Sequence, residues 1–505
     1  MKNSFHPAYI VGSLFAAFVA LVGILSETPW LYATVPGIIG GISAGIATVR
    51  FLKDKTDLAG FVATICGFIF YQAYQANPVT LPEFSASLQS IPLQDQVVGI
   101  VLSNLTTAML LISCRIASNS MHRVIRRWVP DPASVSRKDI DRRIMAGFGI
   151  VFAVVALPNA LFGKVVIGAI DNILYQRLAG ADPDNYSGFT TWGGPLSASI
   201  ANMALWATSL FLLWIYLLRS RYRLAVLVLS PLVLLWTASV GLQGSRTYLV
   251  TMGVAAVVYF LGNPQWGKKV FAYALVAGPV LFLLLQISTH FRSVGLQSVT
   301  GAELSAHLFE IRGNEGTSSQ IDGIQYFRTE LVGKGLAPNP VTGLFRGLVE
   351  RPIEGLLMPV PRSLFPWKAD DHSATEFNLW FQNVRLGQAT DQVFLGASPG
   401  LIGRELIKYG VFGPLTLFCW LGLLLALADR FFSTGAASDF HRICAAVLVA
   451  FIVAQARDFV AIWFIPFFPV GVILGSIARK AKRSRPARWG MAPEPGPIQV
   501  GGTEK

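Results

Sequence analysis

A helix needs about 20 consecutive apolar residues to cross a hydrocarbon core about 30 Å thick, and about twelve stretches of this 505-residue chain meet that requirement. They run over residues 8–25, 30–49, 58–75, 97–114, 145–163, 197–218, 224–242, 246–262, 270–288, 403–427, 443–457 and 459–477. No other feature restricts the fold as sharply. Lipid offers no partner to a backbone N–H or C=O, so segments of this length must close their hydrogen bonds internally as helices. The expectation is an all-α polytopic integral membrane protein with about twelve transmembrane helices.

Composition agrees with that reading. The chain is 53% hydrophobic and 14% charged, with a mean hydropathy of +0.53, more apolar than a soluble domain of this length needs for its core. The net charge of +13 is not a nucleic-acid footprint, because Lys and Arg fall in short links between apolar runs and not along one stripe. With the N-terminus in the cytoplasm, the inner links and tail carry Arg123, Arg126, Arg127, Arg142, Arg143, Lys268, Lys269, Arg479, Lys480, Lys482, Arg483 and Arg485. Short cytoplasmic links are enriched in such residues, so both termini are expected in the cytoplasm. Lys2 precedes the first apolar run without a small-residue cleavage site after it, which reads as an uncleaved first span. Cys66, Cys114, Cys419 and Cys444 all lie within or beside apolar segments, so no disulfide framework is expected.

The chain divides into four regions: residues 1–288 with nine spans, 289–402 as a large extracytoplasmic loop, 403–478 with three spans, and 479–505 as a basic disordered tail. Shorter outer links lie at 77–95 and 164–196. A loop of roughly a hundred residues is too long for a connector. Within it Ile321, Ile324, Phe327 and Leu331 recur at helical spacing, which predicts an amphipathic helix either lying at the membrane surface or packed as an ordinary loop helix.

The centres of the predicted spans are free of ionisable residues, which counts against an ion-coupled carrier. Charge collects at outer helix ends and in the loop, in Arg246, Arg292, Arg312, Arg328, Arg346, Arg351, Arg362, Lys368, Arg385, Arg404 and Arg457. That distribution predicts an outer anion site. Arg246 ends a Gly-rich break and should begin the next helix, where dipole and guanidinium both favour phosphate; an Arg snorkelling to headgroups is the alternative. Arg457 and Asp458 share an outer link, where a local ion pair is the other reading. Pro361 and Pro366 stiffen the stretch holding Arg362 and Lys368. Asp370, Asp371, His372 and Glu376 come next as candidate bases, with Trp380 and Phe381 as flat surfaces of the kind that bind sugars. His290, His307 and His372 are scattered and resemble no zinc site, so neither metal nor other cofactor is expected. Glu405 stands at the outer start of the 403–427 run, where a carboxylate in the first turn is favoured by the helix dipole.

Together, Gly244-Ser245-Arg246, the Pro361-Arg362 to Lys368 stretch and the Ser398-Pro399-Gly400 to Glu405 segment resemble the Wzy-type oligosaccharide repeat-unit polymerases, which make O-antigen and exopolysaccharide in bacterial inner membranes. The resemblance covers roughly residues 225 to 430. Arg312 to Gly323 and Arg385 to Gly396 also repeat a spacing found in some members. It implies a GT-C-like glycosyltransferase architecture, an inner-membrane location, and a donor glycan on undecaprenyl pyrophosphate. A flippase and a chain-length regulator are implied as partners. In that chemistry cations hold the pyrophosphate, for which Arg246, Arg292, Arg312, Arg328, Arg362, Lys368 and Arg457 are candidates. Glu405, Asp371 or His372 would serve as base toward the acceptor hydroxyl. An O-antigen ligase shares the donor. A lipid-linked oligosaccharide flippase is the non-enzymatic alternative; it would place charge inside a central cavity and needs no large outer loop.

Overall fold

The computed structural model describes residues 7–54, 57–68, 91–129, 246–261, 316–353, 376–377, 379–385, 399–434 and 439–457. The predicted spans at 145–163, 197–218, 224–242, 270–288 and 459–477, and the tail 479–505, lie outside the described residues.

The described residues are helical, and four of their helical stretches are long and apolar enough to cross a membrane. The chain is a helical membrane protein. Helices α1 (Ala8–Leu25) and α2 (Pro29–Asp54) form the first hairpin, closed by a turn in which Ser26 Oγ donates to Thr28 Oγ1 at 3.0 Å. Helix α3 (Leu58–Gly67) starts at Asp57, whose carboxylate accepts from the Gly60 N–H at 2.9 Å. Then come α4 (Leu93–Ser120), α5 (His122–Trp128) and α6 (Arg246–Leu261). The large loop supplies α7 (Gly316–Tyr326), continued by a π-helical turn over Phe327–Val332, and α8 (Pro340–Phe345), continued by another over Arg346–Glu350. The chain closes with α9 (Gly400–Tyr409), α10 (Gly413–Thr434) and α11 (Asp439–Arg457).

Helix α4 is central: α1, α3, α7 and α10 all pack on it, while α11 lies against α6 and α10. Their seams include small residues and hydroxyls of the kind that hold helices together in lipid, beside large apolar side chains. Ser13 Oγ of α1 donates to the Asn104 carbonyl of α4 at 2.6 Å, and Thr107 Oγ1 of α4 donates to the Ala63 carbonyl of α3 at 3.3 Å. Phe51 stacks on Phe61 with ring centroids 4.7 Å apart, joining α2 to α3 within the main core. By contrast Leu14, Phe15, Phe18, Ile38, Ile42 and Ile46 are exposed on α1 and α2. The most apolar stretch of α2 is 33% buried and that of α9–α10 is 67% buried, which makes the first hairpin peripheral and the later pair interior. Lipid is the solvent that matches those outward faces.

The span after the large loop departs from the sequence expectation, while the loop helix decides between two readings. The predicted single span at 403–427 is interrupted: α9 ends at Tyr409, a 3₁₀ turn covers Gly410–Phe412, and α10 begins at Gly413. Gly410 has φ 70° and ψ −162°, a backbone state closed to residues with a Cβ, so the break is set by that glycine. Of the two readings of the helix at 321–331, the ordinary packed loop helix is the one observed. Ile321, Ile324 and Phe327 are buried, the first two against the α4 backbone at Gly99.

Candidate functional site

Buried charge gathers where the large loop meets the helix ends. Asp95, Asp322, Arg351 and Glu405 are each at most 2% exposed. Removing such groups from water costs on the order of several kcal/mol apiece unless they are paired, so their partners define the architecture.

Arg328 and Asp95 form the first link. The π turn after α7 carries Arg328 toward the first turn of α4, where Nε donates to Asp95 Oδ1 at 2.8 Å and Nη2 donates to Oδ2 at 2.8 Å. This bidentate geometry matches the planar guanidinium to both carboxylate oxygens. The bond to Asp95 raises the Arg328 pKa, so its charge is permanent. The 77–95 link and the large loop, assigned to one side by charge pattern, therefore meet at one end of the bundle. The 50–57 and 429–442 links meet as well: Asp429 accepts from the backbone N–H of Ala59. Arg328→Ala leaves Asp95 buried without its fork and is expected to destabilise by about 1–3 kcal/mol, read as a shift in denaturation midpoint; an unchanged midpoint would show the link to be idle.

Arg351 and Glu405 form the second. Arg351 follows the π turn after α8, and its Nη2 donates to Glu405 Oε2 on α9 and to the Gly413 carbonyl at 3.4 Å. Its guanidinium also lies 4.6 Å from the centre of the Tyr409 ring, a cation–π contact in a dry setting. Glu405 is the sixth residue of α9, outside the first turn and ahead of the α10 span, so the helix-dipole reading gives way to an ion pair. Close backbone contacts fix the surroundings: the Glu405 carbonyl lies 2.1 Å from where a Cβ on Gly413 would be.

An aromatic cluster fills the space between the links. Tyr326 meets Phe377 edge-on at 5.7 Å and Trp380 at 5.4 Å, with Ile324, Phe327, Ile402 and Leu406 around them. Burial and neighbouring Glu376 push the Tyr326 hydroxyl up to about 12, so it remains a neutral donor, hydrogen-bonded to Glu376. Trp380 is 8% exposed and packed in this cluster, so it offers no open face to a sugar, contrary to expectation.

Of the other candidates, Arg246 begins α6 as expected and Arg457 closes α11, with both side chains outside the described residues. Arg292, Arg312, Arg362, Lys368, Asp371 and His372 also lie outside the described residues. Sequence reasoning missed Asp95 as the Arg328 partner and Arg351 as the Glu405 partner. The pairs are separated by 233 and 54 positions, and no local spacing joins them.

The fold and the buried charges define a helical membrane protein with a structured loop fastened to its helix ends. No protein-family model, curated protein or solved structure matches the chain.

Proposed function

We propose that the protein is an inner-membrane polymerase of the Wzy type, with about twelve transmembrane helices, a GT-C-like architecture and cytoplasmic termini, in keeping with spans of about 20 residues each. It joins oligosaccharide repeat units carried on undecaprenyl pyrophosphate, at the outer face of the membrane. The observation that carries this reading is the pairing of loop charge with span-end charge, Arg328 to Asp95 and Arg351 to Glu405. A loop so anchored is a fixed cover over the outer helix ends, and transfer between two lipid-linked glycans depends on holding both in register.

In this reading Arg246, Arg292, Arg312, Arg362, Lys368 and Arg457 face the pyrophosphate and stabilise the charge that grows on it as the glycosidic bond to the carrier breaks. The acceptor hydroxyl forms the new bond to the anomeric carbon, and its proton passes to Asp371 or His372; Glu405, buried against Arg351, is committed to the ion pair and does not serve as the base. Arg328 and Arg351, committed to carboxylates, position the loop.

The test is polymer length in a deletion strain carrying the wild-type protein or Arg246→Ala, with membrane abundance measured by blot and lipid-linked glycan resolved by gel. Single-repeat product from an abundant Arg246→Ala protein is the expected result. Long polymer from that variant removes Arg246 from the site, and unchanged polymer in the deletion strain itself ends the polymerase reading.

A further inference from the structure

Helix α8 and its π-helical continuation carry two unlike faces. One is glycine: Gly343 and Gly347, four apart, lie so close to the next helices that a Cβ would fall 2.0 Å from the Tyr409 carbonyl oxygen and 2.3 Å from Thr416 Oγ1. Glycines at this spacing let helices approach backbone to backbone in lipid, where packing, not water exclusion, holds helices together. Trp420 Nε1, inside the α10 span, donates to the Leu348 carbonyl at 3.1 Å and fixes the same segment further along that helix.

The other face is large, apolar and uncovered. Val341 is 76% exposed and Phe345 63%, with Leu348, Val349 and Ile353 also exposed. A water-facing loop helix would turn polar residues outward. Helix α8 packs against the Gly410–Phe412 turn and the start of α10, where Val411, Phe412 and Leu415 are exposed as well. The charges on the segment neutralise each other: Arg346 Nε and Glu350 Oε2 pair at 2.7 Å, and Arg351 is held by Glu405. At 1.5 Å per residue, residues 340–353 extend about 20 Å, short of the about 30 Å core, so the segment enters the bilayer without crossing it.

We propose that residues 340–353 are a membrane-inserted helix within the extramembrane loop, with Val341, Phe345, Leu348 and Val349 among the lipid acyl chains of the leaflet that surrounds the start of α10. Lipid acyl chains are the occupant because α8 packs beside the exposed apolar residues Val411, Phe412 and Leu415 of a stretch, Gly400–Ser433, that is long and apolar enough to cross a membrane. The inference is independent of the polymerase reading. Insertion clamps the loop to the bilayer as well as to the helices.

The test uses the full chain with Cys419→Ala, spin-labelled at Phe345→Cys or at Lys334→Cys, whose native side chain is 63% exposed in the preceding turn. It is reconstituted in vesicles of phosphatidylethanolamine and phosphatidylglycerol, and labelling of Cys419→Ala alone gives the background from the buried cysteines. Collision with oxygen severalfold above collision with a water-soluble nickel chelate at position 345, and the reverse at 334, is the expected result. Nickel preference at 345 equal to that at 334 makes the face water-exposed and overturns the proposal. Low collision with both reagents at 345 makes protein the occupant, a second copy or another chain, and overturns it equally.

Discussion

Arg351→Ala is expected to cost about 3–5 kcal/mol of stability, because it strands the Glu405 carboxylate in a site that is 1% exposed. A denaturant titration of the purified protein in detergent reads the loss, and amide exchange across 340–353 should rise with it. The double variant Arg351→Met, Glu405→Leu removes both charges and keeps similar volume, so most of the lost stability should return. If Arg351→Ala is as stable as wild type, the pair is not what fastens the loop to α9 and α10.

The second large effect is expected from Gly343→Ala. A methyl there falls 2.0 Å from the Tyr409 carbonyl oxygen, and that atom belongs to the backbone just before the Gly410 turn, so it cannot swing aside. Overpacking of this kind costs about 1–3 kcal/mol, and the expectation is the upper end of that range, with loss of the Trp420 to Leu348 hydrogen bond. Gly45→Ala in α2 is the matched comparison, since a Cβ there meets nothing within 4 Å. Replacing a mid-helix glycine in open space should stabilise by about 0.5–1 kcal/mol. Opposite shifts of the denaturation midpoint, down for residue 343 and up for residue 45, are the measurement; a neutral Gly343→Ala would mean that α8 does not rest on α9.

The apolar runs were legible because hydrophobic length is a local property. α1 was expected at 8–25 and occupies Ala8–Leu25, and the span expected at 97–114 lies within Leu93–Ser120. Arg246 at a helix start was legible for the same reason, since Gly241 and Gly244 interrupt the apolar pattern just ahead of it. The break after Tyr409 is harder to see: Gly410 and Gly413 sit within a predicted span, and hydropathy does not register φ. Gly343 and Gly347 stand four apart in plain view, but the 340–353 segment is too short and too charged to count as a span, so their spacing has no helix partner until the fold supplies one.

The sequence by itself determined that this is a helical membrane protein with a long charged loop, because lipid admits only internally hydrogen-bonded segments and each span declares itself within about 20 residues. Tertiary structure alone decided what the loop charges do. Arg328 and Arg351 read as free ligand-binding cations until Asp95 and Glu405 are brought beside them by the packing of α7 on α4 and of α8 on α9 and α10. A guanidinium's role depends on which carboxylate shares its dry pocket, and that neighbour is chosen by helix packing, not by proximity along the chain.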